Sequence, residues 1–145
     1  MTRWVLDASV LVKWVLPERR EADTARAEAF LAGFVDRSLA LVEPPHWLAE
    51  VAAVVSRLAP EKATEATALL CAMEIPIDAS GAAYAAAIDL AVRHRHHLFD
   101  TLYHGVALIT PDTLLVTADD TYFRKARGEG RIVHLADPFT RPVRS

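Results

Sequence analysis

Cysteine is nearly absent: Cys71 stands alone among 145 residues, so no disulfide can form within the chain. It lies in an apolar helical run, where a reduced thiol packs as a small hydrophobe, and a reducing, cytoplasmic setting is expected. Long apolar runs are missing as well. No uncharged stretch approaches the roughly 18 residues that span a bilayer, and the N-terminus lacks the layout of an export signal, so neither a membrane protein nor an exported one is expected. Neither sign of charge dominates: 16 Lys and Arg face 19 Asp and Glu, a net charge of -3, which argues against a protein that coats nucleic acid by bulk attraction. Glycine is scarce, five in all. Gly128-Glu129-Gly130 lacks the third glycine and the preceding strand of a dinucleotide-binding turn and reads as a plain turn. There is no phosphate-binding P-loop sequence, no paired-cysteine motif, no GxSxG elbow, no internal repeat and no low-complexity segment. What remains is a chain 52% hydrophobic, long enough for one well-filled core and one domain over residues 1–145.

The opening stretch organises the rest. Trp4-Val5-Leu6 is too short for a helix and stops at Asp7, and a second apolar run at helical spacing, Val10 to Leu16, follows. The pattern reads as strand, acid, helix. In an α/β sheet the C-terminal edge of a strand is where ligands bind, so Asp7 stands where a carboxylate can meet a substrate; the alternative is a simple N-cap of the helix.

Pro17 ends that helix, and Glu18 to Glu21 reads as a solvated turn into a helix over Ala22 to Gly33, with Ala25, Ala29, Phe30 and Leu31 on one side and Gly33 as its stop. Leu39 to Val42 reads as a second buried strand. Pro44 and Pro45 open the next helix, whose Trp47, Val51, Val54, Val55 and Leu58 mark one face. Glu50 sits at the edge of that face, a costly place for a carboxylate unless it is paired, bound to a cation or able to reach water. A helix over Glu61 to Glu74 carries Leu69, Leu70 and Met73 as core, and Ile75-Pro76-Ile77 is a short third strand or edge segment. The helix from Gly81 to about Arg93 turns inward through Tyr84, Ile88 and Ala91. It runs into Arg93-His94-Arg95-His96-His97, which reads as cations gathered at a helix C-terminus, with metal chelation or RNA contact as the sharper alternatives.

Leu98-Phe99-Asp100-Thr101 repeats the opening logic, an acid at the head of a helix carrying Leu102, Val106 and Ile109 inward; Asp100 too has an N-cap alternative, and His104 follows one turn later. Leu114 to Thr117 is a buried strand that ends in Ala118-Asp119-Asp120 and a short helix. Ile132 to Leu135 is a last strand.

Alternating strands and helices predict a parallel sheet, so Asp7 and Asp119 share one sheet edge, which Glu50 and Asp100 reach from flanking helices. Two carboxylates about 5 Å apart repel by roughly 3 kcal/mol at an effective dielectric of about 20, so four together call for a cation. Oxygen ligands without cysteine favour Mg²⁺ or Mn²⁺ over zinc, and such ions accompany phosphate-ester chemistry. Ser9 and Thr117 are candidates for orienting ligands or water, and Asp120 for a peripheral role.

Val5-Leu6-Asp7-Ala8-Ser9-Val10, Pro45 with Glu50, Phe99-Asp100-Thr101 with Tyr103, and Val116-Thr117-Ala118-Asp119 with Phe123 together resemble the PIN-domain ribonucleases, in particular the VapC-type toxins of toxin-antitoxin pairs. The resemblance covers nearly the whole chain. It implies a three-layer α/β/α domain with a short central parallel sheet, Mg²⁺- or Mn²⁺-dependent cleavage of RNA, a homodimer, and a small antitoxin whose C-terminal segment covers the site. Carried over by position, Asp7, Glu50, Asp100 and Asp119 are the catalytic and metal-site acids, with Ser9 and Thr117 in support. Phe99 and His104-Gly105 depart from a pattern that more often has tyrosine before the aspartate and small apolar residues after Tyr103.

Lys13, Arg93, Arg95, Arg124 and Lys125 are candidates for steering an RNA backbone, with a solvated surface as the alternative. Two other functions fit parts of the pattern. An aspartate-based phosphatase would use Asp7 as nucleophile, but Ser9 stands where such an enzyme carries a second Asp. A noncatalytic module would use the acidic pocket to bind a basic peptide.

Overall fold

The computed structural model describes residues 2–16, 23–138 and 140. In order these form β1 (Arg3–Leu6), α1 (Ala8–Val15), α2 (Thr24–Val35), β2 (Ala40–Leu41), α3 (Trp47–Leu58), a 3-10 turn (Pro60–Lys62), α4 (Ala63–Ala72), α5 (Gly81–His94), α6 (Leu98–Ile109), β3 (Thr113–Thr117), α7 (Asp120–Ala126), a second 3-10 turn (Arg127–Glu129) and β4 (Ile132–His134). The expected helix stop at Pro17, the turn over Glu18 to Glu21 and the helix start at Ala22 lie outside the described residues.

The four strands pair in the order β2-β1-β3-β4, and every pairing is parallel. Val5 and Leu6 are fully buried, as are Leu115 and Val116 to within 1%. Such two-sided burial is why these strands read as continuous apolar runs without alternation. Helix α6 packs on β1 and β3, with α5 outside it, while α1 packs on the same two strands and carries α2 and α3. Trp4 meets Phe30 of α2 edge-on with centroids 5.0 Å apart, and Trp14 Nε1 donates to the Ala27 carbonyl at 2.7 Å, which pins α1 to α2 and satisfies an indole N–H that burial would otherwise orphan. The result is the expected three-layer α/β/α arrangement.

Several local expectations change. The second strand shrinks to Ala40–Leu41, although the Val42 amide still bonds the Trp4 carbonyl, and Ile75-Pro76-Ile77 contributes only a single bridge from Ile77 to Glu43. Gly33 does not stop α2, which continues to Val35; a Cβ at Gly33 would stand 2.5 Å from Leu39, so glycine there lets the next segment fold back closely. The buried face of α2 is Thr24, Ala27 and Phe30, with Ala25 and Ala29 outside. On α4, Leu70 is core but Leu69 is exposed.

The largest correction concerns α5, which turns Ala83, Ala87 and Leu90 inward and leaves Tyr84, Ile88 and Val92 in solvent. The reason is steric. Its partner α6 crosses at Gly105, where a Cβ would lie 2.7 Å from the Ala83 carbonyl oxygen and 3.0 Å from the Ala87 nitrogen. Only an alanine face accepts so close an approach. Thr101 Oγ1 reinforces the crossing by donating to the Ala87 carbonyl at 2.8 Å. His104 is fully buried just beyond, where its Nε2–H donates to the Gly130 carbonyl (2.8 Å) and its Nδ1 accepts from the Tyr122 hydroxyl (2.9 Å). Burial lowers its pKa, which suits this neutral tautomer.

Candidate active site

Parallel pairing brings the C-terminal ends of all four strands to one edge. Leu6 is in register with Val116, and the Asp7 amide bonds the Val116 carbonyl at 3.3 Å, so Asp7 and Thr117 leave the sheet side by side. A cavity of ≈ 360 Å³ opens there, and Asp7, Glu50, Asp100 and Asp119 all line it, together with Ser9 and Lys13 and an apolar wall from Val12, Leu16, Val54 and Leu58. The four acids expected from sequence therefore converge from just beyond the ends of β1 and β3 and from α3 and α6.

Their individual environments separate site chemistry from capping. Asp7 occupies the N-cap position of α1 but makes no side-chain cap bond; its Oδ1 instead accepts the Ser9 hydroxyl, and Thr117 adds a second hydroxyl contact. Withdrawal from water pushes the Asp7 carboxyl up to about 7, against the lowering effect of those hydroxyls, and the Asp100 and Asp119 charges push the same way as burial. Asp100 is not a cap either, since α6 begins at Leu98 with His97 before it; its Oδ2 lies 2.7 Å from His96 Nε2. Asp119 does cap α7, with Oδ1 accepting the Tyr122 amide at 3.1 Å, which leaves Oδ2 outside that bond. Glu50 Oε1 accepts from the Tyr103 hydroxyl at 3.4 Å, and its Oε2 lies 3.4 Å from His46 Nε2. Burial first, then the Glu50, Glu43 and Asp7 carboxylates, hold that phenol protonated.

Ser9 Oγ also accepts the Ala118 amide at 2.9 Å, and Thr117 Oγ1 accepts the Asp119 amide at 3.0 Å, so each hydroxyl ties the backbone beside one acid to the side chain of another. Asp120 stands apart from the cavity lining: its side chain is 75% exposed and its Oδ1 meets His134 Nε2 at 2.7 Å.

The five cations differ in placement. Lys13 lines the cavity and pairs with Asp23 at 3.3 Å. Arg93 holds Asp89 at 2.8 Å and also Glu129, a surface clamp outside the cavity lining. Arg95 ends α5 in a left-handed conformation (φ 51°) and is exposed. Arg124 Nε donates to the Asp120 carbonyl, whereas Lys125 Nζ reaches His96 Nδ1 at 3.1 Å.

Sequence reading missed Glu43. It is fully buried, its Oε1 accepts the Leu6 amide at 2.9 Å, and among the described residues its Oε2 has no hydrogen-bond partner. Burial raises its pKa well above the usual carboxylate range, with Asp7 and Glu50 adding to the effect. The missed signal was the same as at Asp7: an acid directly after an apolar strand, here before Pro44-Pro45. His46 was missed, and His96 was read only within the basic run at the end of α5, because a histidine four residues ahead of an acid has no distinctive spacing until the geometry is known.

The PIN domain family model matches residues 4–129. The chain belongs to the PIN-domain family. A search of curated proteins finds no significant match to the chain. PIN domains are generally nucleases, so membership supports a nuclease-type hydrolase, and PIN nucleases typically use divalent metal ions. Among the described residues, no three His, Cys, Asp or Glu side chains are drawn closely enough together to hold an ion by themselves. Mg²⁺ needs only one or two carboxylates and keeps several waters, and a lining whose acids are carboxylates, with no thiolate or imidazole among them, suits a hard ion of this kind. Burial chiefly, with the neighbouring carboxylates adding to it, disfavours the charged form of Asp7, and a bound cation would offset that cost; among the described residues Glu43 Oε2 has no hydrogen-bond partner, and Lys13, which also lines the cavity, is engaged with Asp23. The residues present therefore fit a hard divalent cation. Among the described residues no helix is long and apolar enough to cross a membrane.

Proposed function

We propose that this PIN protein is a Mg²⁺- or Mn²⁺-dependent endoribonuclease and the toxin of a toxin-antitoxin pair. One observation carries the reading: Asp7, Glu50, Asp100 and Asp119, on four separate elements, line a single cavity at the C-terminal edge of the sheet. One or two of these four acids would touch the ion directly and the others would reach it through its waters; when bound, it would supply a nucleophile at neutral pH and neutralise charge that develops on the phosphate. The chain's own residues prepare the site. Ser9 and Thr117 orient the Asp7 carboxylate, Tyr103 stays protonated and donates to Glu50, and Asp119 is held by the first turn of α7. Beside Glu50, Phe99 is 66% exposed and forms with His46 and Ala49 a shallow apolar recess. Such a recess suits an unpaired base stacked on an aromatic ring, which supports single-stranded RNA as substrate.

The apolar wall of the cavity and its acidic floor together suit an antitoxin segment of mixed apolar and basic character. The exposed apolar stripe on α5 supports a homodimer.

The test is cleavage of a mixed RNA panel by partner-free protein in Mg²⁺ or chelator, beside an Asp7→Asn variant matched for folding. Chelator-sensitive cutting, reduced in Asp7→Asn by at least about 100-fold as expected when a site that stabilises the transition state loses a charge, is the expected outcome. Undiminished cutting by Asp7→Asn would overturn the assignment of the activity to this site, and no cutting by the wild type on any RNA would overturn the reading and favour the peptide-binding module.

A further inference from the structure

Two of the four acids have a histidine one helical turn ahead of them in sequence, but the two histidines do different things. His46 Nε2 lies 2.7 Å from the Phe99 carbonyl and 3.4 Å from Glu50 Oε2. A carbonyl only accepts, so the His46 proton goes to the backbone and joins α3 to α6, and the Glu50 carboxylate is left with a longer contact. Among the described residues no such carbonyl meets the His96 ring. Its Nε2 meets Asp100 Oδ2 at 2.7 Å, and its Nδ1 meets Lys125 Nζ at 3.1 Å. An ammonium carries donors and no acceptor, so Lys125 occupies the Nδ1 lone pair and the proton of the ring must sit on Nε2, facing the carboxylate.

We propose that His96 is a positioning residue: its Nε2–H, fixed in that tautomer by Lys125, holds the Asp100 carboxylate in one rotamer with Oδ1 turned to the site. The inference rests on the ribonuclease reading only in taking Asp100 as a site acid.

The surroundings suit the role. The His96 side chain is only 9% exposed, while the Asp100 side chain that it holds is 37% exposed. The imidazole lies against the Tyr122 ring with centroids 4.9 Å apart, and Tyr122 is itself held through its hydroxyl by buried His104. A short exposed aspartate otherwise moves among several staggered rotamers, and a site that must capture a cation loses affinity for each one it has to abandon. The support also links two acids. Helix α7 begins behind Asp119, which caps it, and the same helix supplies Tyr122 and Lys125. Asp119 and Asp100 are thereby set relative to one another through α7 and His96, although they come from different elements.

The experiment uses the full chain. Imidazole ¹⁵N spectra of the wild type report the His96 tautomer directly, with or without metal, and Mn²⁺ titration followed by electron paramagnetic resonance reports the consequence. We expect the Nε2–H tautomer in the wild type. Affinity for Mn²⁺ should be about 10–100-fold weaker in His96→Leu, the usual cost of removing a group that orients a metal ligand. His96→Gln should recover most of it, because its amide nitrogen can donate from nearly the same place. An Nδ1–H tautomer, or a folded His96→Leu that binds Mn²⁺ like the wild type, would overturn the proposal. Equal loss in the Leu and Gln variants would also overturn it, since packing alone would then explain the effect. A wild type that binds no Mn²⁺ instead sinks the metal-dependent reading of the site, and the ¹⁵N tautomer alone then supports or overturns the positioning role.

Discussion

Asp7 shows how a single side chain joins stability to chemistry. Its pKa is pushed up to about 7, chiefly by burial, so between an unfolded value near 4 and that folded value the native state binds more protons than the unfolded one. Stability must then fall as pH rises through that window, and Glu43, shifted in the same direction, adds to the slope. In chelator we expect the thermal midpoint to drop between pH 4 and pH 7, and Asp7→Asn to raise the midpoint at pH 7 and flatten the slope. A wild-type midpoint that climbs steadily over the same range would contradict this balance. The sign is informative because paired surface carboxylates produce the reverse trend. An acid retained at a cost to stability is one whose charge is wanted elsewhere, and a bound cation supplies the missing compensation.

At the scale of elements, the crossing of α5 and α6 governs where Asp100 sits. Gly105 admits the Ala83 carbonyl, Thr101 bonds the Ala87 carbonyl, and Asp100 lies one residue before Thr101. Gly105→Ala should therefore destabilise the fold by about 1–3 kcal/mol despite the better helix propensity of alanine, because the added carbon meets backbone atoms that cannot rotate away. Chemical denaturation checks this, and unchanged stability would show that the two helices separate freely. The same crossing explains why the inward face of α5 was misread from sequence. The larger apolar residues, Tyr84 and Ile88, suggest the buried stripe by hydropathy, but a crossing this close has room only for alanine.

At the scale of the whole molecule, that choice leaves Tyr84, Ile88 and Val92 at i, i+4 and i+8 along one exposed face, with Ile88 51% and Val92 72% accessible. A repeated apolar stripe on a soluble helix is a common mark of association. If it is the homodimer surface, Ile88→Asp with Val92→Asp should yield a monomer by sedimentation while leaving the thermal midpoint of the isolated fold nearly unchanged, since neither side chain belongs to the core. A variant that sediments as the wild type does would remove this face from consideration.

The alternation of short apolar runs with helical spacing was enough to determine an α/β fold, because strand burial leaves a local imprint on sequence; their place beside those runs marked Asp7, Asp100 and Asp119, and its place at the edge of an apolar helix face marked Glu50. Their common cavity was decided by tertiary structure: only parallel pairing of Leu6 with Val116 sets β1 and β3 side by side, and only packing of α3 and α6 brings Glu50 and Asp100 to the same edge. The cap and site readings of Asp7 and Asp100 were likewise inseparable in sequence, since the same residue type serves both uses; side-chain geometry alone denied the cap bond to both and gave one to Asp119. Glu43, His96 and Lys125 acquire their relation to the site through contacts across 37, 4 and 29 residues of chain, to Leu6, Asp100 and His96. Hydropathy pattern is a local property, whereas partners this varied in separation are chosen by how the elements pack.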